Sequence, residues 1–165
     1  MKNLLLLTEE TICYFADDPK RIQHFIKVHS FAKLIGEMES IDPATLEILE
    51  AASILHDIGI KTAEQKYGSC DGKLQEQEGP PIARKMLEPL EYDSRFIERV
   101  CYLVGHHHTY DYIAGIDHQI LIEADFLVNI YEDGLSKGAA LTAYNKVFKT
   151  SYGKFLCRKL YGLQE

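Results

Sequence analysis

Seven histidines stand in this chain, at positions 24, 29, 56, 106, 107, 108 and 118. A buried neutral imidazole needs hydrogen-bond partners, and a buried carboxylate needs a positive charge. Three settings stand out on that criterion. The first is His56-Asp57, which follows the small, apolar stretch Ala51-Ala52-Ser53-Ile54 and precedes Gly59. A divalent metal would satisfy both side chains, since imidazole nitrogen and carboxylate oxygen are good first-row ligands. The alternative is a hydrogen bond between the two at a helix end. The second is His24, on an apolar stripe with Val28, Phe31 and Ile35; alone, it also fits a hydrogen-bonded core histidine. The third is Asp125, with Leu121 and Val128 on its stripe. An unpaired Asp there would be expensive, and the alternative to a metal is a salt bridge to a buried Lys or Arg. Glu123 points to another side and reads as solvated. His29 lies off the His24 stripe and reads as structural or exposed.

These groups need a scaffold, and composition bounds it. The chain has 165 residues, 46% hydrophobic and 26% charged, which suits one globular domain and argues against disorder. Eighteen Lys and Arg against 25 Asp and Glu leave a net charge of −7. That balance argues against a nucleic-acid polymer or an anionic membrane as the main partner. Cys13, Cys70, Cys101 and Cys157 are widely spaced and read as reduced thiols. With no secretory segment, and no run near the roughly 18 apolar residues that a membrane span needs, a cytoplasmic location is expected.

The apolar period is helical almost throughout. The spacing predicts a first helix from Thr8 to Ala16. A second starts at Asp18-Pro19 and runs to about Glu37, and a third runs from Asp42-Pro43 to His56-Asp57, each with an Asp cap and Pro in the first turn. A short helix is expected over Lys61 to Tyr67, and a loop over Gly68 to Lys73. Pro80-Pro81 should start another helix. Asp93 or Ser94 should cap the helix that carries Phe96, Val100, Leu103 and Val104. Asp117 should cap one through Tyr131, and the last region, 136–161, should break near Gly153. No segment alternates at strand period. The expectation is an all-α, multi-helix bundle forming one domain over 1–165, with helices 136–161 packed on the core or forming an interface.

Taken in order, His24, His56-Asp57 and Asp125 resemble the HD-domain superfamily of metal-dependent phosphohydrolases. The stretch 24–32 looks like its opening helix, with Lys27 where Arg is usual. Ala51 to Gly59 looks like its signature helix, and Ile122 to Asp125 like its closing segment. The resemblance covers about Arg21 to Tyr131. It implies that His24, His56, Asp57 and Asp125 ligate one divalent ion (Mn, Fe, Co, Ni or Zn) and leave room for water or a substrate oxygen.

The segment Gly105 to Asp111 holds His106-His107-His108 and resembles the corresponding segment of binuclear relatives. That places His106 and His107 near the metals or the substrate, and makes them catalytic candidates beside Asp57. His108 stands where Glu is common, and no G-x-G-Y-P follows, which argues against a cyclic-di-GMP phosphodiesterase. Binuclear relatives also carry a His about twenty residues after the HD pair; here Gln75 to Gly79 fills that place. Glu78, with His106 and His107, is the candidate set for a second ion, the alternative being that Glu76 and Glu78 are solvated acids. Lys61 and, more weakly, Lys27 are candidates for meeting a substrate phosphate. Tyr110 and Tyr112 could wall a ring pocket. The function implied is hydrolysis of a small phosphorylated compound, such as a nucleotide, by an activated water. The rivals are a di-iron oxygenase on the same scaffold and a non-catalytic binding protein.

Overall fold

Two Asp-Pro pairs open the helices that frame the site. Residues 2–164 are described by the computed structural model. Helix α2, Pro19–Met38, begins where the Asp18 carboxylate accepts from the Arg21 amide. Helix α3, Pro43–Leu55, begins where Asp42 accepts from the amides of Ala44 and Thr45. Proline in the first turn costs nothing, because its missing N–H would have no partner there. Before them lies α1, Lys2–Tyr14, which starts and ends earlier than the expected Thr8 to Ala16. Its apolar face, with Leu7 fully buried, extends toward the N-terminus.

After α3 come α4 (Ile60–Tyr67), α5 (Gly72–Leu87), a 3-10 turn (Glu88–Leu90), α6 (Ser94–Val104), α7 (Ile116–Glu132), α8 (Lys137–Lys146) and α9 (Ser151–Tyr161). The described residues form no strand, so the fold is all-α. Helices α2, α3 and α7 pack on one another, with α6 against α3 and α5 against α6. The last seven residues of α3, Leu49 to Leu55, are all buried, so the chain enters the His56-Asp57 turn from inside the core. No described helix is long and apolar enough to cross a membrane.

Four sequence expectations need correction here. Pro80-Pro81 does not start a helix but lies inside α5. Asp71 caps that helix by accepting from the Lys73 amide, and burial of Gln75, Glu78, Gly79 and Ala83 on one side carries it through both prolines. Asp117 does not cap α7; Gly115 does, and the Asp117 carboxylate instead takes the Arg99 guanidinium. Glu123 is not solvated. It is fully buried, and its carboxylate accepts from the amides of Lys149 (2.6 Å) and Thr150 (2.9 Å), the Gln119 side chain (2.7 Å) and the Thr150 hydroxyl. This carboxylate ties the start of α9 to α7. It also explains Gly153, which sits within α9 rather than breaking it. A Cβ there would lie 1.9 Å from Glu123 Oε2.

Candidate metal centre

The chain turns tightly at the site. His56 continues the helical conformation of α3, and then Ile58 N donates to Leu55 O (2.9 Å) and Ile60 N to Asp57 O (3.0 Å). These i to i−3 bonds wind the backbone more tightly than an α-helix and bring adjacent His56 and Asp57 toward one centre. Gly59 allows it: a Cβ there would fall 2.4 Å from Gln75 O and 2.6 Å from Gly79 N. Only a glycine lets this turn lie against α5.

Four side chains from three elements meet at this point. His24 Nε2 on α2 lies 3.1 Å from His56 Nε2, 3.4 Å from Asp57 Oδ2 and 3.2 Å from Asp125 Oδ1 on α7. His56 Nε2 lies 3.6 Å from each carboxylate oxygen. His56 is fully buried, and His24 and Asp125 nearly so. Tautomers sharpen the picture. His56 Nδ1 donates to Ser53 O (2.9 Å), which can only accept, so its neutral ring presents a lone pair at Nε2. His24 Nδ1 faces the Glu132 carboxylate at 2.8 Å, with the same consequence. Two imidazole lone pairs and two carboxylate oxygens thus converge on one small volume.

Such a cage requires positive charge at its centre. Burial opposes charge on His24, but the hydrogen bond to Asp125 and the nearby Asp57 outweigh it, and its pKa is pushed up to about 9. Without an ion, the cage takes up a proton. Burial also opposes ionisation of Asp125 and Asp57. The bonds from His24 and His56 hold Asp125 well below the ordinary carboxylate range, and His56 and His107 do the same for Asp57. The residues fit a divalent ion: metal–ligand bonds of about 2.0–2.2 Å put neighbouring donors about 3–3.5 Å apart, the spacing found here. Nitrogen and carboxylate donors suit the middle and late first-row metals.

A second group of donors adjoins the first through the other oxygen of Asp57. His107 Nε2 lies 3.4 Å from Asp57 Oδ1, and Asp57, His107 and His108 form a set whose donor atoms could share an ion. His107 Nδ1 donates to Val104 O (2.8 Å), while its buried Nε2 has no hydrogen-bond partner among the described residues. Burial, and then His107 itself, pushes His108 down to about 4, so its ring is a neutral donor. Glu76 fixes this loop by accepting from the His108 amide (2.9 Å) and the Thr109 hydroxyl (3.0 Å).

Several residues singled out from sequence lie elsewhere. His106 does not join the donors: its Nδ1 bonds Tyr102 O at 2.7 Å, and its ring stacks on Tyr102. The tight turn after α6 points His107 and His108 inward instead. Glu78 is held by Lys66 Nζ (2.6 Å) and the Tyr67 hydroxyl (2.9 Å), and Lys66 foremost holds its pKa low. Lys61 donates to Tyr14 O (3.0 Å) and lies over the Tyr14 ring. Lys27 pairs with Glu132 Oε1 at 2.5 Å. Tyr110 and Tyr112 are exposed, and Tyr110 packs edge-on to Phe126. His29 is tied to Glu50 at 3.1 Å.

Two residues escaped the sequence reading. Glu132 receives both Lys27 and His24 and orients the imidazole through its far nitrogen, an arrangement that fixes metal-ligating histidines. It stands at the last residue of α7, outside every motif segment, and that left no signal. Arg21 lies one helical turn before His24 and lines the same cavity, of about 420 Å³, whose wall also includes Asp18, Glu64, Asn129 and Asp133. The i, i+3 spacing from His24 was the available clue.

The comparisons agree with this architecture. The family model described as HD domain matches residues 21–149, and the chain belongs to that family. The crystal structure of a predicted HD superfamily hydrolase from an uncultured Thermotogales bacterium is similar in fold. It is 24% identical, with a TM-score of 0.69, over 98% of this chain and 85% of that one. No curated protein matches the chain.

Proposed function

We propose that this protein is a metal-dependent phosphohydrolase acting on a small phosphorylated compound. The observation that carries the reading is the convergence of His24, His56, Asp57 and Asp125, in which the two imidazole Nε2 atoms lie 3.1–3.6 Å from each other and from the carboxylate oxygens, with His24, Asp57 and Asp125 lining an open cavity. A divalent ion held there supplies Lewis acidity to a phosphoryl oxygen and acidity to a water. The residues do the rest. Asp57 sits between the cage and His107, so it can accept the proton of an attacking water. His107 can carry a proton at Nε2, since Asp57 counters the cost of its burial and raises its pKa; held 3.4 Å from Asp57 Oδ1, that proton can pass to or from the carboxylate. The depth of His56 and Asp125 excludes bulk water from one side of the reacting group.

A second reading concerns the number of ions. His107 Nε2, which has no hydrogen-bond partner among the described residues, lies beside Asp57 and His108, and these three residues would hold a second ion. This set differs from the one expected from sequence, with His108 in place of His106 and without Glu78.

Metal analysis with a phosphate-release screen tests both. Wild type should bind metal and cleave phosphate esters, and His56→Ala should lose both while keeping its helical circular dichroism. Full activity in metal-free His56→Ala would refute the hydrolase reading. A His107→Ala protein holding one ion where wild type holds two would establish the second site; one ion in both would remove it.

A further inference from the structure

The cavity above the cage carries an unusual charge balance for a phosphate site. Six of its lining residues are carboxylates: Asp18, Asp57, Glu64, Asp125, Glu132 and Asp133. Asp57 and Asp125 face the cage and would be balanced by a divalent ion. Glu132 is matched from behind by Lys27. Asp18, Glu64 and Asp133 remain, against Arg21 and the exposed Lys20. The two lysines that sequence offered for phosphate, Lys27 and Lys61, are turned to protein partners.

Among the described lining residues Arg21 is the one guanidinium, and although it too is ion-paired, its five N–H donors exceed what its two carboxylate partners take. It is positioned by Asp18 at 3.1 Å and by Glu64 at 2.6 Å. One turn separates it from His24, and both line the same cavity, so a phosphate held at the cage would share that cavity with this arginine. A guanidinium presents several donors in a plane and matches phosphate geometry. One phosphate would draw on the ion and on the guanidinium N–H groups that Asp18 and Glu64 leave over. A second would lie against a wall where, among the described lining residues, Asp18, Glu64 and Asp133 outnumber Arg21 and Lys20.

We propose that this cavity selects molecules bearing a single phosphate group, with Arg21 as the phosphate's guanidinium partner and Glu64 and Asp133 repelling any second phosphate. The inference rests on the phosphohydrolase reading for its reaction, and on wall charge alone for its selectivity.

The test uses a pair of probes that differ by one phosphate, adenosine 5′-monophosphate and adenosine 3′,5′-bisphosphate, with manganese-loaded protein. Binding and phosphate release are measured in parallel. The monophosphate should bind at least about tenfold more tightly, since like charges in an interface reject the wrong ligand. Arg21→Ala should weaken monophosphate binding by about tenfold or more, because charge-assisted bidentate bonds are lost. Glu64→Gln/Asp133→Asn should narrow the gap between the two probes. Equal binding of both probes, or a gap unmoved by the double variant, would overturn the inference whatever is hydrolysed. Selective, Arg21-dependent binding with no phosphate released would keep the charge selection and remove the hydrolase reading.

Discussion

Glu132 and His24 are joined across the α2–α7 contact by a 2.8 Å bond between the carboxylate and imidazole Nδ1, and Lys27 braces the same carboxylate at 2.5 Å. The bond leaves His24 Nε2 as the atom that faces the cage. Burial works against charge on Glu132, but Lys27 and then His24 outweigh it and keep its pKa below the ordinary range. The carboxylate thus stays ionised behind the ligand.

Glu132→Gln should accordingly weaken metal binding by about 10–100-fold, the usual cost of losing a partner that orients a ligating histidine. Competition with a chelating dye would measure it, with circular dichroism as the control for folding. Unchanged affinity would show that the cage holds His24 without help.

Metal affinity and metal-free stability should run in opposite directions with pH. His24 is raised from 6.5 to about 9 in the metal-free protein. A raised pKa contributes stability that is complete below 6.5 and is lost as pH climbs through about 9. The ion requires the neutral ring, so over that window its binding should strengthen and release protons. Thermal melts of metal-free protein, and titration calorimetry in buffers of different ionisation enthalpy, would read the two trends. Proton-free binding at pH 7 would contradict the protonated cage.

Gly153→Ala should destabilise the protein by about 1–3 kcal/mol, the range for forced overpacking. The added methyl would meet the buried Glu123 carboxylate at 1.9 Å. Urea denaturation would measure the loss. A variant as stable as wild type would mean that α9 shifts freely from α7, contrary to the three hydrogen bonds that Glu123 accepts from Lys149 and Thr150.

The helices and the primary ligand candidates were legible because local rules govern them. Asp18 and Asp42 sit before prolines, and caps act within one turn. His24 and Asp125 stand on apolar stripes where a polar group demands a partner. What misled were groups whose partners are remote in the chain. Glu123 looked solvated beside Asp125, yet its partners lie at Lys149 and Thr150. The prolines at 80 and 81 looked like a beginning, yet the helix continues through them under burial of its other face.

The second donor group marks the same divide. Three consecutive histidines announced chemistry but not which rings turn inward. That choice was made by the turn after α6, which spends His106 on Tyr102 and aims His107 and His108 at Asp57. Lysine roles followed suit, since Glu132 and Tyr14 captured Lys27 and Lys61 from distant helices. Residue type and spacing established the all-α class and four candidate ligands, because helical period and the cost of burying charge act on short stretches. Packing of α2, α3 and α7 decided where those ligands meet and which cation faces the cavity, because those outcomes depend on pairs brought together only by the folded chain.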